Sequence, residues 1–150
     1  MNHQDDYPAD YIASILSQVK TIAMVGASPR PNRPSYCVLQ VLLEQGYNMI
    51  PVNPREAGSE ILGLKVVASL AEIDESIDMV DVFRVSSALP GIAQEAIDAG
   101  ASVLWSQIGV YNDEAATLAE DAGLRVVMNR CPKIELLRPA VLQSMLESRT

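Results

Sequence analysis

Basic residues are scarce in this chain. Its 150 residues include 11 lysines and arginines against 19 aspartates and glutamates, which gives a formal net charge of −8 at pH 7. A surface of this sign repels the phosphates of nucleic acids and the anionic headgroups of membranes. General nucleic-acid binding and membrane-surface binding are therefore excluded as first hypotheses, and the positions of the few basic residues become informative.

Histidine and cysteine are scarcer still. The one histidine, His3, is close to the N-terminus, where we expect a frayed segment without a catalytic role. Because the one histidine is terminal, neither a Ser-His-Asp nor a Cys-His arrangement can be built. The two cysteines, Cys37 and Cys131, form no disulfide framework and no pair at metal-ligand spacing. No catalytic constellation or metal site is visible, and the composition leans against an enzyme.

Long apolar runs are also absent. No segment approaches the about 18 consecutive apolar residues of a membrane span, and the first residues lack the basic and apolar regions of a signal peptide. We therefore expect a cytoplasmic protein. Hydrophobic residues make up 49% and charged residues 20% of the chain, which is a globular composition. The length predicts a single domain over residues 1–150.

Short apolar segments alternate with amphipathic helical patterns along the chain. The candidate strands are residues 21–25, 47–50, 65–67, 78–83, 101–105 and 125–128, the third of which is weak. Most of these segments do not alternate between apolar and polar residues, as expected of strands buried on both faces of a parallel sheet. We predict an α/β, three-layer Rossmann-like fold with a five-stranded parallel sheet of order 3-2-1-4-5.

Many of the basic residues directly follow the ends of these strands. They are Arg30, Arg33, Arg55, Arg84, Arg130 and Lys133. Ligands of open α/β sheets bind beyond the carboxyl ends of the strands, here at the switch point between the first and fourth strands. We interpret the six residues as a positive rim that binds a multiply charged small anion, such as a nucleotide or a pyrophosphate. The alternative is the general preference of arginine for exposed loops.

The loop after the first strand has the composition of a phosphate-binding turn. Gly26 permits the tight turn, and backbone amides at the start of the following helix would face the phosphate. Ser28 and Ser35 add hydroxyl donors, while Arg30 and Arg33 can bind phosphate through paired hydrogen bonds. The loop lacks the further glycines of the dinucleotide fingerprint and the Gly-Lys-Ser/Thr of a Walker A loop.

The tip of the second strand, Val52-Asn53-Pro54-Arg55, helps to distinguish between nucleotide classes. Sites for NAD carry an aspartate or glutamate there, which binds the ribose hydroxyls. An arginine favours a ribose that bears a phosphate, as NADP does at its 2′ carbon and coenzyme A at its 3′ carbon. These residues do not distinguish NADP from coenzyme A, and ATP or ADP is a less favoured alternative.

Five short motifs, taken in order, resemble those of the stand-alone CoA-binding proteins. The motifs are Val25-Gly26-Ala27-Ser28, Pro51-Val52-Asn53-Pro54-Arg55, Phe83-Arg84, Trp105-Ser106-Gln107-Ile108-Gly109 and Arg130-Cys131-Pro132-Lys133-Ile134-Glu135. That family is similar to the N-terminal domain of the succinyl-CoA synthetase alpha subunit. The resemblance extends from Thr21 to Glu135 and implies a Rossmann-type fold with one coenzyme A at the switch point.

The resemblance also implies which residues form the coenzyme A site. The loop after the first strand would hold phosphates, the second strand tip would lie along the adenosine phosphate, and the later loops would flank the adenine and the pantetheine. The implied residues are Gly26, Ala27, Ser28, Arg30, Arg33, Ser35, Asn53, Pro54, Arg55, Phe83, Arg84, Ser86, Gln107, Ile108 and Gly109. At Arg55 the family more often has lysine, so this position departs from the family pattern.

The resemblance supplies no reaction, because the synthetase also uses a second domain with a phosphorylated histidine and a partner subunit. We therefore predict a non-catalytic binding or regulatory module that takes coenzyme A or an acyl-CoA. Two alternatives stay open, an NADP-dependent oxidoreductase and a subunit of a partner-dependent acyl-CoA ligase. No protein partner is indicated.

Cys131 lies close to Arg130 and Lys133, whose charges would favour a thiolate. A mixed disulfide between Cys131 and the thiol of coenzyme A is one interpretation, and a small buried core residue is the other. We expect Cys37 and Trp105 to be core residues.

Four carboxylates, Asp74, Glu75, Asp78 and Asp81, are close enough in sequence to suggest a paired acid/base site. We expect them instead to form a turn and an exposed entry into the sheet.

Overall fold

The computed structural model describes residues 1–147. The helices are α1 (Ala9–Gln18), α2 (Pro34–Glu44), α3 (Leu89–Asp98), α4 (Asp113–Asp121), α5 (Pro132–Leu137) and α6 (Pro139–Glu147). The strands are β1 (Thr21–Val25), β2 (Asn48–Val52), β3 (Glu60–Ile61), β4 (Leu64–Lys65), β5 (Met79–Val82), β6 (Val103–Ser106) and β7 (Arg125–Val127). Within the described residues, no helix is long and apolar enough to cross a membrane.

Five of the strands form one parallel sheet of order β2-β1-β5-β6-β7. Strand β1 lies between β2 and β5, and at its carboxyl end Val25 is opposite Val52 and Val82. The chain moves from β1 to β2 in one direction and from β5 to β7 in the other, which places the switch point between β1 and β5. The predicted α/β class and five-stranded parallel sheet are confirmed.

The weak third predicted strand contributes less to the sheet than expected. The backbones of Leu62 and Gly63 have φ of 51° and 79°, and the chain reverses there to pair β3 with β4 in an antiparallel hairpin. This segment then touches the main sheet through one isolated parallel bridge, from Val67 to Val52. The fifth place in the sheet belongs to β7, beside β6.

Both faces of the sheet are buried, as predicted for a three-layer fold. Residues of α1, α2, α5 and α6 form one core cluster with one face of the sheet, and residues of α3 and α4 form the other. Along β1 the side chains alternate between the clusters, with Met24 in the first and Val25 in the second. Helix α2 begins at Pro34, as predicted for a residue without an N–H.

The prediction of a frayed N-terminus around His3 is wrong. The His3 side chain is buried, with Nδ1 at 2.7 Å from the Tyr7 hydroxyl and Nε2 at 2.8 Å from Oε1 of Glu120 on α4. A partner more than a hundred positions away cannot be deduced from local sequence, and it is this contact that orders the segment.

The same N-terminal region satisfies the free edge of the sheet. The Tyr7 hydroxyl accepts a hydrogen bond from the Met128 N–H at 2.8 Å. The Tyr11 hydroxyl donates to the Val126 carbonyl at 2.9 Å and accepts from the Val126 N–H at 3.1 Å. Two phenol groups thus replace part of the missing neighbour strand of β7.

Candidate functional site

A cleft of about 1100 Å³ lies at the carboxyl ends of β1, β2, β5 and β6. Its walls come from the four loops that follow these strands. Most of the predicted site residues line it, namely Gly26, Ser28, Arg30, Arg33, Ser35, Asn53, Arg55, Phe83, Arg84, Gln107, Ile108 and Gly109. The topology therefore brings together residues as far apart in the sequence as Gly26 and Gly109.

Three predicted site residues do not line the cleft. Ala27 is fully buried, and Pro54 is exposed beside the cleft rather than in its wall. The Ser86 hydroxyl accepts a hydrogen bond from the Tyr111 N–H at 3.0 Å, which anchors the loop after β5.

Several lining residues were not predicted from the sequence. They are Pro29, Pro34, Glu56, Val85 and Val110. All are direct neighbours of predicted residues or lie one position beyond them in the same loops, so extending each motif by one or two positions would have found them.

The loop from β1 to α2 begins with a close approach of two backbones. Gly26 has φ of +89°, and a Cβ placed on it would lie 2.4 Å from the Phe83 carbonyl oxygen. Its N–H donates to the Val52 carbonyl at 2.9 Å. Only glycine can hold the first and third loops of the cleft at this separation.

The serines of the first loop stabilise its shape. The Ser35 hydroxyl accepts from the Ser28 N–H at 3.1 Å, and the Ser28 hydroxyl accepts from the Arg30 N–H at 3.2 Å. These two amides are therefore satisfied within the loop rather than exposed to a ligand. Each hydroxyl retains its own proton, which can be donated to an anion in the cleft.

Asn53 connects the loop after β2 to the loop after β1. Its side-chain amide donates to the Ala27 carbonyl at 2.8 Å, and its side-chain oxygen accepts from the Arg55 N–H at 2.9 Å. The Asn53 side chain is thus occupied within the protein. Arg55 is exposed at the cleft and free to reach a ligand.

Four arginines give the cleft its positive charge. Arg30, Arg33, Arg55 and Arg84 are exposed and line the cleft, and within residues 1–147 none of them forms an ion pair with a carboxylate. Glu56 is the one carboxylate among the lining residues. Four unpaired guanidinium groups on a chain of net charge −8 form a local site for a polyanion.

The other two members of the predicted rim point elsewhere. Arg130 lies 3.6 Å from the Asp6 carboxylate and stacks over the Tyr7 ring at 5.1 Å. Lys133 donates to the Cys37 thiol at 3.1 Å, and this contact raises the pKa of Lys133. Neither residue lines the cleft. The ammonium group of Lys133 on α5 therefore contacts α2 instead of the cleft.

The cysteines and the tryptophan differ from one another in burial. Cys37 is partly exposed and in contact with Lys133, so its prediction as a core residue is wrong. Cys131 is buried in the core, and so is Trp105, whose indole N–H donates to the Arg130 carbonyl at 2.9 Å.

In the described part of the chain, no group of three or more histidine, cysteine, aspartate or glutamate side chains could hold a metal ion.

The cleft also has apolar lining residues. Val85 and Ile108 are large hydrophobic residues that remain 66% and 55% exposed, and Phe83 is partly buried. Ile108 sits in a turn in which the Val110 N–H donates to the Gln107 carbonyl at 2.9 Å. The cleft thus offers cations to one part of a ligand and apolar surface to another.

The four clustered carboxylates are divided between two environments. Asp74 and Glu75 are exposed, and Asp78 accepts hydrogen bonds from the backbone N–H groups of Lys20 and Thr21 at the sheet entry, as expected. Asp81 is different, because it is fully buried in β5 and neither carboxylate oxygen has a hydrogen-bond partner. Burial raises the pKa of Asp81 to about 8. The prediction of an exposed Asp81 is wrong.

Comparison with known proteins shows close relatives. Residues 20–136 match the family described as CoA binding domain. The chain is 46% identical over 123 residues to the uncharacterized protein YneT of Bacillus subtilis, covering 82% of this chain and 90% of YneT. A hypothetical protein from Pyrococcus horikoshii has a similar structure, with 39% identity, a TM-score of 0.83 and coverage of 91% of this chain and 94% of that one.

A more distant relative belongs to an enzyme. The chain is 32% identical over 89 residues to subunit alpha of an ADP-forming acetate–CoA ligase of Pyrococcus furiosus. The match covers 57% of this chain but 19% of that subunit, so this chain corresponds to a small part of it.

The family match covers every part of the molecule that forms the cleft. Residues 20–136 include the five strands of the main sheet and the four loops beyond their carboxyl ends. Neither the N-terminal segment nor α6 contributes to the cleft wall. With its sheet, its switch point and its cleft all inside the matched region, the chain belongs to the family of CoA binding domains.

Proposed function

We propose that this protein binds coenzyme A, or an acyl-CoA, in the cleft and acts as a non-catalytic binding or regulatory module. The observation that carries the proposal is the set of four exposed arginines at the switch point, none of which pairs with a carboxylate of residues 1–147. Coenzyme A has a diphosphate, a ribose phosphate and a long arm with apolar segments. Its phosphates match the arginines that line the cleft, and the apolar segments of its arm match Val85 and Ile108.

Arg55 is the residue that we assign to the ribose phosphate. It is the charged residue at the tip of β2, where NAD-binding proteins carry an acidic residue. Its neighbour Asn53 is already bonded to the Ala27 carbonyl, so Arg55 is the available side chain at this tip. A guanidinium can bind a phosphate through two parallel hydrogen bonds.

Calorimetric titration with coenzyme A, dephospho-CoA, ADP and NADP tests the proposal. We expect coenzyme A to bind more tightly than dephospho-CoA, because the latter lacks the phosphate that Arg55 contacts. Arg55→Glu should weaken coenzyme A binding by at least about 1.5 kcal/mol, since a charge-assisted contact is replaced by repulsion.

Lys20→Glu is the matched control for Arg55→Glu. Lys20 is exposed just before β1, at the end of the sheet opposite to the cleft, and the substitution makes the same change in net charge. It should leave the affinity close to that of the wild type. Equal binding of dephospho-CoA and coenzyme A would show that the assignment of Arg55 is wrong.

A second candidate is a subunit of a partner-dependent acyl-CoA ligase, which the relationship to the acetate–CoA ligase subunit favours. Co-purification with an ATP-binding ligase subunit would support it, and a chain that purifies alone in stoichiometric complex with coenzyme A would count against it. An NADP-dependent oxidoreductase is the remaining alternative. It predicts a change in NADPH fluorescence on addition of the protein, whereas the leading proposal predicts none.

A further inference from the structure

Two side chains at the carboxyl ends of β5 and β6 have buried oxygen atoms without hydrogen-bond partners. Within the described residues, these are both carboxylate oxygens of Asp81 and the side-chain oxygen Oε1 of Gln107. Buried polar atoms in proteins are nearly always hydrogen-bonded, and an unsatisfied one is costly. The three unsatisfied atoms are all acceptors, so the Asp81 carboxylate and Oε1 of Gln107 can bond each other only when Asp81 carries a proton.

The strand register places the two side chains on the same face of the sheet. Asp81 is opposite Met24 on β1 and opposite Trp105 on β6. The Gln107 N–H donates to the Val82 carbonyl at 3.1 Å, which continues the pairing of β5 and β6 by one residue. Because side chains alternate along a strand, Gln107 points to the face that carries Trp105 and Asp81.

The separation of such a diagonal pair is within reach of both side chains. Neighbouring strands lie about 4.8 Å apart and rise about 3.3 Å per residue, so residues offset by two positions have Cα atoms roughly 8 Å apart, which two facing side chains can span. Gln107 lines the cleft, whereas Asp81 is fully buried and does not. The register therefore places a buried carboxyl group on the sheet face where Gln107 borders the cleft.

A proton on Asp81 would satisfy both groups together. A carboxylic acid has one O–H donor, which Gln107 Oε1 can accept, and the Gln107 amide group then keeps two N–H donors for the cleft. An ionised Asp81 would instead accept from the amide N–H, so that the carboxamide turns over and presents its oxygen to the cleft.

We propose that Asp81 is a positioning residue whose protonated carboxyl donates to Oε1 of Gln107 and so directs the Gln107 N–H groups toward a carbonyl oxygen of the bound ligand. The identity of the ligand rests on the proposed function, and the amide or thioester carbonyls of the coenzyme A arm are the groups of this kind. The affinity for such a ligand then depends on pH through Asp81, which is mostly protonated at pH 7 because burial raises its pKa to about 8.

No neighbouring charge accounts for the state of Asp81. The titratable and charged side chains on or beside the helices that cover this face are Tyr7, Asp10, Tyr11, Tyr36, Cys37, Glu44, Cys131, Lys133, Glu135, Arg138 and Glu147, and of these Asp10, Glu44 and Glu147 are exposed. Glu135 is paired with Arg138 at 2.7 Å, and Cys37 is in contact with Lys133. Desolvation by burial is the cause of the raised pKa of Asp81, so burial determines the protonation state of this carboxyl group.

The direct test follows the side-chain amide resonances of Gln107 by ¹H–¹⁵N NMR in the ligand-free protein, assigned by their loss in Gln107→Ala. We expect these resonances to shift with a midpoint at about pH 8 in the wild type. The shift should be absent in Asp81→Asn, which keeps an N–H donor for Gln107 but cannot ionise. Asp74→Asn, at an exposed position outside the cleft, should titrate as the wild type does.

Coenzyme A titrations at pH 6.5 and pH 9 provide the second readout. The wild type should lose affinity by roughly three- to tenfold more than Asp81→Asn between these values, as expected for one hydrogen bond. The titration of the ligand itself cancels in this comparison. Asp81→Leu, which has no donor, should bind weakly at both values, while Asp81→Asn should retain the affinity of the wild type at pH 6.5.

The two hypotheses fail in different ways. Gln107 resonances that do not titrate, or that titrate equally in Asp81→Asn, would overturn the role of Asp81 whether or not coenzyme A binds. If the wild type binds no coenzyme A while the Gln107 resonances titrate as expected, the proposed function is wrong and the proton link between Asp81 and Gln107 stands.

Discussion

At the scale of single residues, Gly26 and Asp81 lie near the ends of neighbouring strands and are constrained for opposite reasons. Gly26 has no space for a side chain, because the Phe83 carbonyl occupies the position where a Cβ would be. Asp81 is fully buried, and within the described residues neither of its carboxylate oxygens has a hydrogen-bond partner. Both constraints arise where β1 and β5 meet the cleft, so substitutions there affect stability and the site together.

Gly26→Ala should destabilise the protein by about 1–3 kcal/mol or more. The substitution combines an unfavourable positive φ with a clash against the Phe83 backbone carbonyl. Gly46→Ala is the matched control, since Gly46 has φ of +97° but, apart from its two chain neighbours, no atom of the described residues within 4 Å of the added methyl group. The free energies of unfolding in urea should differ between the two variants. Equal losses would show that the contact with Phe83 relaxes at little cost.

Asp81→Asn should change how stability depends on pH. The carboxyl has a pKa of about 8 in the folded chain and about 4 in the unfolded chain. Between these values the folded protein binds more protons, so this group makes the free energy of unfolding fall as pH rises through the window from about 4 to about 8. Above the folded-state pKa the contribution is constant.

Urea unfolding of both proteins at a series of pH values measures this effect. The stability of Asp81→Asn relative to the wild type should increase with pH across that window, whereas Asp74→Asn should follow the wild-type curve. Parallel curves for the wild type and Asp81→Asn would mean that the carboxyl titrates normally in the folded state.

At the scale of elements, the edge strand β7 depends on the N-terminal region for part of its hydrogen bonding. The Tyr11 hydroxyl both donates to and accepts from the backbone of Val126, and the Tyr7 hydroxyl accepts from Met128. Arg130, which follows β7, stacks on the Tyr7 ring. The N-terminal segment is therefore part of the folded unit, although it lies outside the region that matches the family.

Tyr11→Phe should lower the free energy of unfolding by about 1–3 kcal/mol, because a buried N–H and a buried carbonyl lose their partner. Tyr111→Phe is a suitable control, since it removes a hydroxyl that bonds the exposed Asp113 and should cost less than about 0.5 kcal/mol. Thermal or urea unfolding compares the two. Losses of the same size would indicate that water replaces the Tyr11 hydroxyl at the strand edge.

At the scale of the whole molecule, the charges are segregated. The chain has 19 acidic residues, yet one carboxylate, Glu56, lines the cleft beside four arginines. A phosphate-rich ligand is therefore repelled by most of the surface and attracted at one place. Because the arginines are exposed to solvent, dissolved ions screen their attraction.

Coenzyme A binding should accordingly weaken several-fold when ionic strength rises from about 0.05 M to about 0.5 M. Arg84→Gln should reduce this dependence, because it removes one of the cations, and calorimetry at the two salt concentrations measures both. An affinity that does not change with salt would indicate that the arginines do not contact the phosphates.

Much of the fold and part of the site could be predicted from the sequence because both depend on local pattern. Apolar segments without alternation indicated the parallel sheet, and parallel strands place the residues after their carboxyl ends at one edge. Arg30, Arg55 and Arg84 accordingly meet at the cleft, as predicted.

Only the tertiary structure decided which of the other polar side chains line the cleft and which make contacts elsewhere in the protein. Arg130 and Lys133 also follow a strand, but contacts with Tyr7 and Cys37 draw them away. His3 bonds a carboxylate on α4, and Asp81 is buried on the sheet face that α1, α2, α5 and α6 cover. The sequence by itself determined the sheet and the position of its cationic cleft. The direction of a side chain and the protonation of a buried acid depend on partners far away in the chain, which only the folded structure brings into contact.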